Sequence, residues 1–257
     1  MNNYIIYEQP ITENVRNFLK CEYLDEKFNC AVKQHDMWSI KSSISTLIEM
    51  SDFIFRINIK IELLKDLEKN LHLLEILKKN NSIELGDYDK FYTEMQSNID
   101  KLNSTDCSPS RSITDNDFLM QIKSKLHIPA GDNFFDMPSY LNFLSSNKTF
   151  ILENINNWYS PFRPIFISST LLLDFKRTIS KFEYFSSNDS YFEMKLDKSD
   201  KTDLVRIKLE KNINIYPDIS VNSQNINIMF KTSYGANRQS KPIEEKLDFG
   251  ISLSNIK

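Results

Sequence analysis

Two pairs of basic residues have the most chemically suggestive spacing in this chain. Arg16 and Lys20 lie four residues apart, and so do Arg56 and Lys60. Residues four apart in a helix share one face. Val15, Phe18 and Leu19 take the opposite side of the first segment, which leaves Arg16 and Lys20 turned outward. Such a pair is ordinarily a solvated helix face. Two pairs near aromatic and aliphatic residues can instead hold a short peptide with acidic side chains. Arg offers a carboxylate a planar fork, and Lys offers a point charge. Arg206, Lys208, Lys231, Arg238 and Lys241 add positive charge further along. The ones within strands are most simply the wet face of a sheet.

Other chemistries lack a constellation. His35, His72 and His127 are widely separated and read as surface or capping residues. There is no HExxH, GxSxG or Cys-x-x-Cys. Gly86, Gly131, Gly235 and Gly250 are isolated, whereas a phosphate-cradling loop needs clustered glycines for close backbone approach. Asp115 with Asp117, and Glu244 with Glu245, are acid pairs. Acid–base work needs burial that splits their pKa values; the first pair reads as helix capping and the second as solvated. Cys21, Cys30 and Cys107 have no metal-ligand spacing and read as buried free thiols in a reducing compartment. The expectation is a binding protein with no catalytic residues, metal or cofactor.

Composition agrees with a soluble globular chain. Of the 257 residues 40% are hydrophobic and 26% charged, enough for a normal core with one large domain or two modest ones. A net charge of −3 gives no general attraction to phosphate, so nucleic acid is not an expected partner. Met1 to Pro10 has no cationic stretch leading into a long apolar run, and no run of about eighteen apolar residues occurs. A cytoplasmic protein without membrane insertion is expected.

Apolar period supplies the elements that must position the basic pairs. Tyr4 to Tyr7 reads as a strand ended by Pro10, and Thr12 as the cap of a first helix through Tyr23. Ile40 to Ile54 gives a second helix. Ile57, Ile61, Leu64, Leu67, Leu71 and Leu74 give a long third one, and Phe53 to Glu68 is helical by pattern. Arg56 and Lys60 fall on that third helix. Tyr88 to Leu102 gives a fourth, and Asn103 to Ser112 reads as a loop. Thr114 with Asp117 resembles a capping box for a helix through Leu126. Pro138 suits the first turn of a short helix. Helices around Phe150–Trp158 and Leu171–Phe182 follow. Past Phe182 the period becomes two, in segments around Phe192, Val205, Ile226 and Leu247. Together these form an antiparallel sheet. The fold class is α+β, with a helical domain over 12–182 and a β domain over 183–257, to which 1–11 adds a strand. Leu63, Leu73 and Ile76 lie off the main stripe of the third helix and could face a second subunit.

The chain resembles the ZapD family of cell division factors over nearly its whole length. The likeness rests on Tyr7-Glu8-Gln9-Pro10-Ile11 followed by Glu13, Arg16, Leu19 and Lys20, and on Phe55-Arg56, Lys60 and Glu62 to Glu68. It returns at Ile128-Pro129-Ala130-Gly131, Phe135-Asp136-Met137-Pro138, Trp158, Tyr216 to Ser220 and Leu247-Asp248-Phe249. The resemblance implies a cytoplasmic homodimer at the division site. It also implies a non-enzymatic role: binding the C-terminal tail of FtsZ and bundling FtsZ filaments to stabilise the Z ring. Dimerisation would fall to the helical domain. Lys20, Arg16, Arg56 and Lys60 match basic family positions, with Arg206, Lys231 and Arg238 next in line as tail-binding residues. Asp117, Leu141, Asn225 and Met229 stand where relatives carry basic residues or histidine, which implies a shifted surface or a tail of different charge. The alternative is a dimeric helical scaffold for another cytoplasmic partner.

Overall fold

Helical period governs the chain from Glu13 to Ile179, and strand period governs both of its ends. The computed structural model describes residues 3–104, 110–187, 189–196, 201–211, 214–222, 224–232, 241–243 and 246–256. The helices are α1 (Glu13–Gln34), α2 (Met37–Arg56), α3 (Ile59–Lys79), α4 (Leu85–Ser104), α5 (Arg111–Thr114), α6 (Asp117–Lys125), α7 (Pro138–Leu144), α8 (Lys148–Tyr159) and α9 (Arg163–Ile179). The strands are β1 (Tyr4–Pro10), β2 (Glu183–Ser187), β3 (Tyr191–Lys195), β4 (Lys201–Glu210), β5 (Ile215–Val221), β6 (Asn225–Thr232), β7 (Lys241–Pro242) and β8 (Leu247–Ile256). This is the α+β layout that the two periods predict. The chain divides into one unit of residues 17–172 and another of residues 1–16 with 173–257. No described helix is long and apolar enough to cross a membrane.

In the helical unit, polar caps set where helices begin. Asp36 accepts from the Trp38 and Ser39 amides at 2.9 and 3.1 Å and starts α2. Asn116, not Thr114, caps α6, accepting from the Leu119 amide at 3.1 Å. Thr114 instead ends the short α5, so the expected capping box is absent. Pro138 takes the first turn of α7, where its missing N–H costs nothing. The expected loop at 103–112 shortens to the interval between Ser104 and Arg111, of which 105–109 lie outside the described residues.

Two helical expectations are corrected. The stretch Phe53–Glu68 is not one helix, because Ile57 adopts extended backbone (φ −126°, ψ 145°) and α3 starts anew after Asn58. Arg56 therefore ends α2, Lys60 belongs to the first turn of α3, and the two do not share a helix face. The buried stripe of α3 also differs: it runs through Ile59, Leu63, Leu67, Asn70, Leu73 and Leu74, and Ile61 is 47% exposed. Leu63 and Leu73, expected to face a second subunit, are spent on the subunit's own core. Cys21 is buried, but Cys30 lies on the exposed side of α1, and Cys107 falls outside the described residues.

In the other unit, strands from both chain ends pair. β1 runs antiparallel to β4, with Tyr7 opposite Ile207 and Pro10 opposite Leu204. The strands form two sheets rather than the single one expected. One has the order β1-β4-β8-β2, and the other has β3-β6-β5 with β7 beside β6. Val205, Ile207, Leu209, Phe249 and Ile251 of the first sheet meet Ile226, Ile228 and Phe230 of the second in one core. Two apolar faces from one run of strands bury more surface as a layered pair than as an open sheet. β2, Glu-Tyr-Phe-Ser-Ser, escapes the alternation rule. β5 alternates Ile215, Pro217, Ile219 and Val221 with Tyr216, Asp218 and Ser220, and as an edge strand it tolerates Pro217.

Charged residues tie β1 into this unit. The Glu8 carboxylate lies 2.6 Å from Arg177 and 3.3 Å from Arg206. Lys176, 2% exposed, pairs with Asp203 at 2.7 Å.

Candidate peptide-binding groove

Lys20 and Arg56 come from separate helices to the rim of one groove of about 680 Å³ in the helical unit. α1 supplies Lys20, Tyr23 and Leu24, an i, i+3, i+4 set on one face. α2 supplies Ser45, Ile48, Glu49, Asp52, Phe53 and Arg56, which repeat the same spacing. The third wall is Lys123, Leu126 and His127, from α6 and the turn after it. Leu24 and Ile48 are buried and floor the groove, while Tyr23 is 63% exposed at its edge. The surface is thus a mainly apolar trough with charges along its margin.

The sign of that margin follows from which charges are already matched. Glu49 pairs with Lys27 at 2.7 Å, and Asp52 pairs with Lys123 across from α6. Lys20 and Arg56 have no ion-pair partner among the described residues, and both are exposed. The Lys20 ammonium lies 5.7 Å from the Phe53 ring centre, a weak attraction that leaves its donors available. Arg56, in the last turn of α2, also suits the negative helix end. A groove with two uncommitted cations over aliphatic and aromatic side chains fits a peptide that is both acidic and apolar.

Tight packing holds the third wall. The Ile128 amide bonds to the Lys125 carbonyl at 2.9 Å, and the Gly131 amide to the Ile128 carbonyl at 2.8 Å. A Cβ at Gly131 would sit 2.4 Å from the Lys125 carbonyl oxygen. Only glycine lets the chain fold back this closely, and the fold-back sets Leu126 and His127 at the groove.

The remaining predicted site residues lie elsewhere. Arg16 is exposed on α1 and pairs with Glu13 at 3.4 Å. Lys60 is half-buried and does not line the groove. Arg206 does not lie on a wet sheet face as expected. It is 9% exposed, faces Glu8, donates to the Arg177 carbonyl at 3.0 Å and stacks 5.0 Å from the Phe182 ring. Its alternating position predicted a solvent face, but the end of α9 covers it. Lys231 pairs with Asp218 across β5 and β6 at 2.5 Å, and this partner raises its pKa. Arg238 falls outside the described residues, as do Glu244 and Glu245. Lys123, Tyr23, Phe53 and Leu126 were not singled out from sequence. The i, i+3, i+4 sets on α1 and α2 carried a signal for Tyr23 and Phe53, but nothing local joins them to α6. His127, read as a surface residue, is exposed at the groove.

Comparison with known proteins matches this sequence to one family. The ZapD family model, described as "Cell division protein", matches residues 19–229. Cell division protein ZapD of Janthinobacterium sp. (strain Marseille) is 27% identical over 253 residues, covering 98% of this chain and 100% of the relative. Cell division protein ZapD of Chromobacterium violaceum is 23% identical, covering 98% and 99%. That of Ralstonia pickettii (strain 12J) is 25% identical, covering 98% and 100%. With the match spanning most of its length, the chain belongs to the ZapD family of cell division proteins.

Proposed function

We propose that this protein binds the C-terminal tail of FtsZ in the groove between α1, α2 and α6. As a homodimer it then cross-links neighbouring FtsZ filaments into bundles at mid-cell, in the cytoplasm and without catalysis. The observation that carries this reading is the pair of uncommitted cations, Lys20 and Arg56, over an apolar trough in a chain of the ZapD family. A flexible tail loses entropy on capture, so each site binds weakly. Two sites per particle raise overall binding without new contacts.

The test is the double variant Lys20→Glu with Arg56→Glu. Both side chains are exposed, so the change should alter stability by only about 0.5 kcal/mol. Loss of charge-assisted contacts to a carboxylate costs roughly 1.5–3 kcal/mol, and both ends of the clamp fail together. FtsZ pelleting and electron microscopy should show bundles with the native protein and none with the variant, its fold checked by circular dichroism. Normal bundles from the folded variant would move the tail site elsewhere. Failure of the native protein to co-sediment with FtsZ would favour a scaffold for another partner.

A further inference from the structure

The third wall of the groove is fastened to α2 at two points by ion pairs of opposite polarity. Near the wall's start Lys123 reaches Asp52. Beyond the turn, Asp132 accepts from Lys41, whose Nζ lies 2.7 Å from the carboxylate and 3.0 Å from the Asp132 carbonyl. Lys41 and Asp52 are eleven residues apart on α2, three turns along one face. Leu126 and His127 lie between the two fastenings.

The Lys41 fastening is unusually well enclosed. Its ammonium sits 5.1, 5.0 and 5.4 Å from the ring centres of Trp38, Phe134 and Tyr140, and its side chain is only 10% exposed. A cation among three aromatic faces with one carboxylate beside it is attracted from every side, so its position is closely held. The segment it holds is itself continuous. Asn133 donates to the Ala130 carbonyl at 2.9 Å and to Asp136 at 2.6 Å, and the Asp136 amide returns a bond to Asn133 at 2.8 Å. With the Gly131–Ile128 and Ile128–Lys125 bonds, these tie Asp132 to the turn that carries Leu126 and His127.

We propose that Lys41, which does not line the groove, is a positioning residue for peptide capture: its bond to Asp132 keeps the α6 turn closed against α2. This rests on the groove being the tail site.

The experiment compares native protein, Lys41→Met, Lys41→Arg and Lys20→Glu/Arg56→Glu. Hydrogen exchange is followed by mass spectrometry, and binding of a labelled FtsZ tail peptide by fluorescence anisotropy. Methionine keeps the apolar stem and removes the charge; arginine keeps the cation for both the rings and Asp132. Lys41→Met should speed exchange in 125–136 while α1 and α4 keep native protection. It should weaken the peptide about tenfold, as expected if the competent arrangement falls to about a tenth of the population. Lys41→Arg should restore both. Native affinity with fast exchange in Lys41→Met, or unchanged exchange, would overturn the clamp. If Lys41→Met loses protection throughout, Asp132→Asn replaces it under the same two readouts. If the native protein binds the tail and Lys20→Glu/Arg56→Glu binds equally well, the groove reading fails instead.

Discussion

At the scale of single residues, burial decides which charges are free to act. Lys176 and Asp203 form a pair taken out of water, the ammonium at 2% exposure. Removing one partner leaves the other desolvated and unpaired. Lys176→Met should therefore destabilise the protein by about 3–5 kcal/mol in urea unfolding, whereas Lys176→Met with Asp203→Leu should recover most of the loss. The thiols differ in the same way. Burial pushes Cys21 up to about 12 from 9.0, opposed by a hydrogen bond with Ser169 and reinforced by Asp25 and Glu62. In a Cys107→Ser background at pH 8, a thiol reagent should label Cys30 at once and Cys21 only on unfolding. The folded state holds the Cys21 proton longer than the unfolded chain does. Its contribution to stability is complete below about pH 9 and lost as pH rises through about 12, which a urea series across that range reads.

At the scale of elements, the contacts that cost most to lose join distant parts of the chain. β1 supplies one edge of its sheet and also the Glu8 carboxylate that Arg177 and Arg206 face. Deleting residues 1–8 should strip β4 of most of its neighbour and remove the carboxylate that Arg177 and Arg206 share. The expected loss is about 3–5 kcal/mol, with aggregation through the bared edge. Thermal melting and light scattering check both, and an unchanged melting temperature would remove any structural role for β1. The turn after α6 offers a second case. Gly131→Ala forces a Cβ to within 2.4 Å of a backbone oxygen and 2.8 Å of the Ile128 Cβ. Neither neighbour is a flexible tip, so the turn must open. We expect a loss of roughly 1–3 kcal/mol together with weaker peptide binding, measured by calorimetry and anisotropy on the same preparation.

At the scale of the whole molecule, the proposed bundling needs two tail sites in one particle. Light scattering at micromolar concentration should report a dimer. Leu63 and Leu73 serve the core of the chain itself, and Ile61 and Ile76 remain exposed on α3, at 47% and 36%. On dilution, filament bundling should be lost before tail-peptide binding, because cross-linking needs the dimer and capture does not. A parallel loss of both would place parts of the tail site on two subunits. Raised salt should weaken bundling as well, since exposed cations such as Lys20 and Arg56 are screened.

Features that depend on neighbours a few residues away were legible in the order of residues alone. Apolar recurrence at three and four residues placed the helices, the change to period two after Phe182 placed most strands, and Pro138 marked a helix start. The short aromatic run at Tyr4–Tyr7, with no partner nearby, already required a distant strand. The ordered segments from Tyr7 to Phe249 pointed to the ZapD family. Tertiary structure decided the rest. The pattern Phe53–Glu68 is helical throughout, yet the chain breaks at Ile57, and α3 turns Ile59 and Leu63 inward while Ile61 stays exposed. Alternation put Arg206 toward water, and the end of α9 covered it. Lys20 and Arg56, thirty-six positions apart, line one groove because α1 and α2 carry matching faces and α6 closes the side. Periodicity records which side of an element is apolar. What that side meets, and which charges the meeting leaves unmatched, depends on burial among distant elements.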